Sequence, residues 1–452
     1  MNTRNLTLMM GAVTLACGAM QAAKRPNILY IFTDQQNGKA MSCTGNTDLH
    51  TPAMDRLAQE GVRFDNAYCA APLSSPSRCA MMTGVTPSKA NLMVNGNPFN
   101  APFTTQNLGV ILDQAGYDCA YAGKWHLPES NIPDSIYGFQ KIWDHNDYGL
   151  AHACNTFLSE KRDEPFFLVA SFDNPHNICE YARDQNIFYA DLEEPHISEC
   201  PNLPANHAVA PFDAHIVRYE QQARPQIYPV QDYSDEDWRR YRNAYYRLTE
   251  AVDAEIGKIV AHLDKEGLWE NTIIIFSSDH GDGNGAHKWN QKSALYDEST
   301  NIPFIIYSPD LKERGIVNHA LINNGVDFFA TVCDYADAEM PAHSLGTSIR
   351  PVVEKGQDEI NEYVVTETQF DTAKTKGWSV RSKDYKYINY DRGRYREQLY
   401  DMRTDRGEMV NLAVEKKYAD VLDAHRKMLV EWHEKNGVPK ERRATPFYPK
   451  KK

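Results

Sequence analysis

The sequence predicts an α/β protein: a large, mixed, mostly parallel sheet sandwiched between helices, with a smaller C-terminal α+β subdomain of antiparallel strands and a helix. Three features predict it. Short β-rich runs are apolar throughout, as in strands buried on both faces; they alternate with capped helical segments; and beyond about Leu345 the pattern changes to short strands rich in tyrosine.

Taken in order, residues 1–23 carry Arg4 and no acid, an apolar run from Leu6 to Met20, and small residues at Ala22 and Ala23, the pattern of an export signal. The run falls short of the ~20 residues of a spanning helix. Thr14-Leu15-Ala16-Cys17 is similar to a lipoprotein cleavage box, which makes Cys17 a candidate lipid anchor. Asn27 to Thr33 (NILYIFT) reads as a buried parallel strand that delivers Asp34 at its carboxyl end, where α/β sheets place their sites. A helix follows, with Thr51 as N-cap, Pro52 at N1, an apolar face of Met54, Leu57 and Ala58, and Gly61 as its stop. Asn107 to Ala115 predicts a second helix ended by Gly116, and Tyr117 to Ala122 and Phe166 to Phe172 predict two more strands.

Ser234 opens a long helix to about Glu266, in which Trp238, Tyr241, Tyr245, Leu248, Val252, Ile256, Ile259 and Leu263 recur at helical spacing as a core stripe. Thr272 to Ser277 is another buried strand, followed by Asp279 and His280, and Ile302 to Tyr307 is a further one. The last segment predicts strands at Tyr363–Thr366, Ser379–Arg381 and Tyr385–Tyr390 and a helix near Lys416–Asn436. The implied division is a signal at 1–23, a catalytic part at 24–345 and a subdomain at 346–452.

The chain of 452 residues has a formal charge of −13, and loss of Arg4 with the signal lowers it by one more, to −14. That acidic balance argues against a nucleic-acid partner, and any anion must be attracted by a local basic pocket. Of nine cysteines, the eight after Cys17 include no CxxC pair, so no thiolate metal site is indicated; a bridge such as Cys179 to Cys200 stays open.

Four segments concentrate chemistry at predicted strand ends and turns. Ser74-Ser75-Pro76-Ser77-Arg78 precedes Thr83-Gly84; Gly123-Lys124-Trp125-His126-Leu127 follows a strand; Pro175-His176 follows another. The fourth runs Ser278-Asp279-His280-Gly281-Asp282 and continues through His287, Lys288 and Trp289 to Lys292. Read singly, each has a bland alternative: a Ser/Pro turn, solvated lysines, a histidine capping carbonyls. Together they resemble the type I, formylglycine-dependent sulfatase family of the alkaline phosphatase superfamily. The matches are Cys/Ser-x-Pro-Ser-Arg with its Thr-Gly, Gly-Lys-Trp-His-Leu, Pro-His and Ser-Asp-His-Gly. Glu397 to Asp401 and Glu408 to Leu412 are similar to the family's closing motifs, so the likeness spans nearly the whole mature chain.

The resemblance implies an alkaline phosphatase-like fold and hydrolysis of sulfate esters on a sulfated carbohydrate. It implies that Ser74 is converted to formylglycine (3-oxoalanine) by a separate maturase, that Arg78 steadies its hydrate, that His126 takes a hydroxyl proton, and that His176 protonates the leaving alcohol. Lys124 and Lys292 would contact the sulfate. Asp34, Gln35, Asp279, His280 and Ser74 would surround one cation. Mostly oxygen ligands with one imidazole suit calcium, with magnesium as the alternative. The serine in place of cysteine marks the bacterial Ser type.

His287, Asn177 and Trp289 are candidate substrate contacts, as are Glu180 and Arg183, whereas Asp282 and Lys288 read as solvated loop charges. The segment from about Asn186 to Gln231 is a candidate lid or pocket wall. Short sulfated oligosaccharides suit an exported acidic protein, periplasmic or at the cell surface, that meets a membrane only through a lipid on Cys17. Two rivals differ in testable ways. A phosphoryl-transfer enzyme needs two zinc ions and further Asp and His ligands where Arg78, Lys124 and Lys292 stand. A non-catalytic glycan-binding lipoprotein would lack a nucleophile, ligand or lysine, and none is missing.

Overall fold

The computed structural model describes residues 25–96, 105–128, 135–187, 189–190, 192–193, 195–372 and 374–443; the expected export signal and Cys17 lie outside them. Among the described residues the largest sheet has nine strands. From one edge to the other they are Ile316–Asn318, Val62–Phe64, Phe304–Tyr307, Thr272–Ser278, Asn27–Asp34, Phe166–Pro175, Asp118–Gly123, Phe139–Trp143 and Ser135–Ile136. The five from Thr272–Ser278 to Phe139–Trp143 run parallel, and Phe304–Tyr307 turns the order antiparallel.

The central strand shows why apolar runs mark this architecture. All eight residues of Asn27–Asp34 are buried. Ile28, Tyr30 and Phe32 pack into one core layer, Leu29 and Ile31 into the layer on the opposite face. The second layer receives Val252, Ile256, Ile259 and Leu263 of the long helix Asp235–Lys265, whose start is closed by a capping box between Ser234 and Asp237.

The C-terminal part is a four-stranded antiparallel meander, Tyr363–Gln369, Lys376–Ser382, Tyr385–Tyr390 and Glu397–Asp401. The helix Ala419–Lys435 covers it, burying Leu422 and Leu429 against Val380 and Tyr387. Three of these strands are legible in the sequence. The fourth is short and reads only as a motif.

Two local expectations are corrected. Thr51 does not cap the helix Pro52–Glu60: its hydroxyl oxygen accepts from Ser42 N instead. The free backbone N–H groups of Ala53 and Met54 donate to the Asp253 carboxylate, at 3.1 and 2.8 Å, from the long helix. Gly61 is extended rather than left-handed, and it is needed for close approach, since a Cβ there would lie 2.6 Å from Ile306 O. The bridge left open between Cys179 and Cys200 is absent; all eight described cysteines are free.

Because Asp253 is buried and caps a helix from a distance of 200 residues along the chain, Asp253→Ala leaves two N–H groups unpaired. We expect a loss of about 2 kcal/mol in urea unfolding, with an unchanged slope of free energy on urea.

Candidate active site

Parallel register brings the functional side chains together. Thr33 pairs with Ser278 and Asp34 with Pro175, while Gly123 pairs with Ser171, so Asp34, Asp279, Lys124 and His176 all emerge at the carboxyl ends of neighbouring strands. Gly123 has φ +96°, and a Cβ on it would lie against Ser171 O; a glycine is required for the chain to turn and present Lys124.

Beneath these ends runs the helix Ser74–Thr83, buried along its whole length. Ser74 is its first residue, so its hydroxyl stands where unpaired N–H groups favour an anion. Ser74 Oγ is 3.2 Å from Asp34 Oδ2 and 3.1 Å from His280 Nε2. Ser77 faces away and donates to Asp279 O at 2.6 Å, and Ser75 donates to His126 O at 2.7 Å.

One turn further on, Arg78 is 1% exposed and ties the two aspartates together: Nε donates to Asp279 Oδ2 and Nη2 to Asp34 Oδ2, each at 2.9 Å. Its Nη1 donates to Ser171 Oγ at 2.9 Å and to the Lys124 carbonyl. Lys124 Nζ bridges Asp34 and Asp173 at 2.8 and 2.7 Å. Burial alone would raise Asp34, but Lys124 and Arg78 outweigh it and hold its carboxyl well below the usual range. Asp279 is pushed up, by burial and then by the neighbouring Asp34 charge.

His280 Nδ1 lies 3.1 Å from Gly281 O, an arrangement in which that nitrogen donates and Nε2 is left as an acceptor facing Ser74. Burial and then Lys292 hold the ring neutral by pushing its pKa far down. The ligand atoms of Asp34, Asp279 and His280 lie within 4.8 Å of one another, all buried. Two crowded carboxylates with one neutral imidazole fit a hard divalent cation, which would relieve the repulsion that raises Asp279.

Lys292 Nζ donates to Gln35 Oε1 at 2.8 Å. Gln35 is left-handed (φ 72°), as are Gln291 (65°) and Ser293 (74°) on either side of Lys292, and His126 (55°). Such strain in non-glycine residues is characteristic of sites whose side chains must be aimed. The Gln35 amide is oriented by Asp282, which accepts from Gln35 Nε2 at 2.7 Å and from Tyr241 OH at 3.0 Å. Asp282 is therefore no solvated loop charge: it is fully buried, and it fixes the partner of Lys292. Lys288, by contrast, is exposed.

Above this floor opens a cleft of about 470 Å³, whose lining includes Lys124, His126, His176, Lys292, Arg183 and Tyr228. His176 follows the strand Phe166–Pro175; burial and then the charges of Lys124 and Lys292 hold it well below the ordinary histidine range. Arg224, Ile227 and Tyr228 supply part of the wall expected from the 186–231 segment.

Three candidate substrate contacts lie elsewhere. Trp289 is fully buried against Tyr228, with ring centroids 4.7 Å apart. His287 is also buried, stacked on Tyr296 beside Glu298 and Glu408. Both face inward because the chain folds back on itself: Gly285 N bonds to Trp289 O, and His287 N to Asn206 O. Asn177 is not among the cleft-lining residues; its amide is engaged by Asn174 and Glu180. Sequence reasoning missed Asp173, Ser171 and Cys179. Asp173 had a signal, since it is an acid at the carboxyl end of a buried strand, like Asp34 and Asp279.

Comparison with known proteins bears on the family and the fold. The Sulfatase family model matches residues 26–338, and one described as N-sulphoglucosamine sulphohydrolase, C-terminal, matches residues 285–435. The chain is 31% identical over 471 residues to the Delta 4,5-hexuronate-2-O-sulfatase of Bacteroides thetaiotaomicron, covering 96% of both chains. It is 28% identical over 496 residues to the N-acetylglucosamine-6-O-sulfatase of that bacterium, covering 92% of this chain and 88% of the relative. A solved sulfatase structure from Bacteroides thetaiotaomicron superposes with a TM-score of 0.80 at 29% identity, covering 95% of this chain and 98% of the other. The chain therefore belongs to the sulfatase family and is a sulfuric ester hydrolase with an alkaline phosphatase-like fold.

Proposed function

We propose that this enzyme removes sulfate from a sulfated carbohydrate fragment, using a formylglycine made from Ser74 and one divalent cation, calcium by preference. The observation that carries the reading is the position of Ser74 Oγ, within 3.2 Å of both Asp34 and His280 and next to the lysine-lined floor of the cleft. The names of the two sugar sulfatases to which the chain is similar support a sugar as the alcohol. Residues 24–345 would form the catalytic part, which holds every functional side chain named above, and 346–452 a supporting subdomain.

The formylglycine would supply, as its hydrate, one hydroxyl to attack sulfur and a second to release the sulfate. Asp34, Gln35, Asp279 and His280 would hold the cation, whose charge would polarise the sulfuryl oxygens. Arg78 fixes Asp34 and Asp279 and, with Lys124, holds Asp34 ionised. Lys124 and Lys292 place positive charge where the sulfuryl oxygens sit, without reorganisation when the substrate arrives. His126 takes the hydroxyl proton. His176 gives a proton to the departing alcohol: burial and then the charges of Lys124 and Lys292 hold it neutral in the free protein, and a bound sulfate offsets those charges and raises its proton affinity.

Ser74 is fully buried, so the maturase that removes its two hydrogens would have to reach it before the fold closes. The first 23 residues support export to the periplasm or cell surface. No helix among the described residues is long and apolar enough to cross a membrane.

Three outcomes follow. Ser74→Ala is expected to reduce sulfate release, measured by ion chromatography, to background with an unchanged circular dichroism spectrum, and the tryptic peptide of the active protein should weigh two hydrogens less than its serine form. Retained turnover in Ser74→Ala would refute the reading. Lys292→Ala should lower kcat/KM by about 10²- to 10³-fold, the loss typical of one fixed stabilising donor. Elemental analysis should find one divalent ion per chain, and chelation should lower both activity and melting temperature; two zinc ions with phosphatase turnover would instead favour the phosphoryl-transfer class.

A further inference from the structure

The residues that follow His176 form one wall of the cleft. His176, Cys179, Glu180 and Arg183 all line it, with Ile178–Ala182 as a short helix and Arg183 as its C-cap. Cys179 and Glu180 lie on that helix, and His176 and Arg183 flank it on either side. Arg183 thus borders the cleft at the opposite end of this helix from His176.

Arg183 is half-buried, and its Nε is buried without any hydrogen-bond partner. No carboxylate pairs with its guanidinium among the described residues. The nearest acid on the same helix, Glu180, points the other way, with Oε2 4.0 Å from His176 Nδ1 and 3.3 Å from Asn177 Nδ2. The second arginine of the cleft, Arg224, differs: Asp371 holds it at 2.7 Å and Glu220 at 3.7 Å. The cleft therefore has one neutralised arginine and one whose charge and buried donor are uncommitted. In a chain of net charge −13, an uncommitted guanidinium beside a substrate pocket selects for an oxyanion, which can satisfy Nε and a terminal nitrogen together.

We propose that Arg183 forms a second anion subsite, so that the preferred substrate carries, besides the scissile sulfate, a carboxylate or a second sulfate on the same or the adjoining sugar. This rests on the sulfated-carbohydrate reading above and adds the second charge to it. The guanidinium binds either group through the same pair of N–H donors, and the substrates used in the test distinguish the two sources.

The test compares three families of sulfated sugars, each covering the different ring positions: an N-acetylated hexosamine monosulfate, called neutral because the scissile sulfate is its one charge, its disulfated counterpart, and a monosulfated disaccharide containing a uronate. Binding is measured by calorimetry to the full mature Ser74→Ala protein, in which no turnover occurs, and kcat/KM is measured with the matured wild-type enzyme. Affinity for at least one acidic family is expected to exceed that for the neutral one by tenfold or more. That ratio should collapse to about twofold in Arg183→Ala and in Arg183→Gln, the second variant guarding against a folding defect in the first. The family whose advantage disappears identifies the anion. Equal affinity for neutral and acidic sugars, or a preference that survives both substitutions, overturns the proposal. Binding with the expected preference but no sulfate release from any family by the matured enzyme would instead sink the hydrolytic reading and leave the subsite standing.

Discussion

Arg78 is the element on which the site depends. Two carboxylates from adjacent strands, Asp34 and Asp279, are fully buried and close enough to repel, and neither would stay ionised in such surroundings without compensation. One guanidinium meets both, each at 2.9 Å, and its remaining nitrogen is taken up by Ser171 and the Lys124 carbonyl. The Phe32 ring lies 4.8 Å from the guanidinium carbon, so the charge is also packed against the central strand. The fork geometry matters, because a lysine would supply the charge but could not span two carboxylates and a carbonyl from a fixed plane.

Around this hub the charges are unequal by arrangement. Lys124 is shared by Asp34 and Asp173, and Lys292 meets the neutral amide oxygen of Gln35. Lys292 is thus the floor lysine that no carboxylate meets in an ion pair among the described residues. In the proposed reaction that charge is what a sulfate finds, and it adds to the burial that keeps His176 unprotonated until an anion arrives.

Support for these groups comes from residues remote from the chemistry. The long helix Asp235–Lys265 packs its lower half into the core and uses the hydroxyls of its upper half at the site. Tyr241 holds Asp282, which orients Gln35, and Tyr245 donates to Gln35 O while accepting from Asn37 N. The aromatic stripe is core packing and also a scaffold for the left-handed turn at Gln35. The same economy appears at Asp253, which faces the core from this helix and closes the start of another.

The buried strands and the long helix are legible in sequence because their signals are local: uninterrupted apolar runs at Asn27–Thr33 and Thr272–Ser277, and a helical period opened by Ser234. Ser74, Lys124, His176, Asp279 and Lys292 are legible through motifs that resemble those of the sulfatase family, whereas Asp173 and Cys179, which line the cleft, belong to none of them. Tertiary structure alone decided the rest. Whether Asp282, His287 and Trp289 face solvent, cleft or core depends on how the loop after Ser278 folds back, through contacts with Tyr241, Asn206 and Tyr228 that lie far away in the chain. The cap at Ala53 and Met54 was read as Thr51 because local sequence names a capping residue but cannot weigh it against a carboxylate supplied by another helix. Strand register, set by packing on both faces, determined that Asp34, Lys124 and Asp279 emerge side by side, and the folded-back loop set Lys292 on Gln35; spacing along a chain carries no such information.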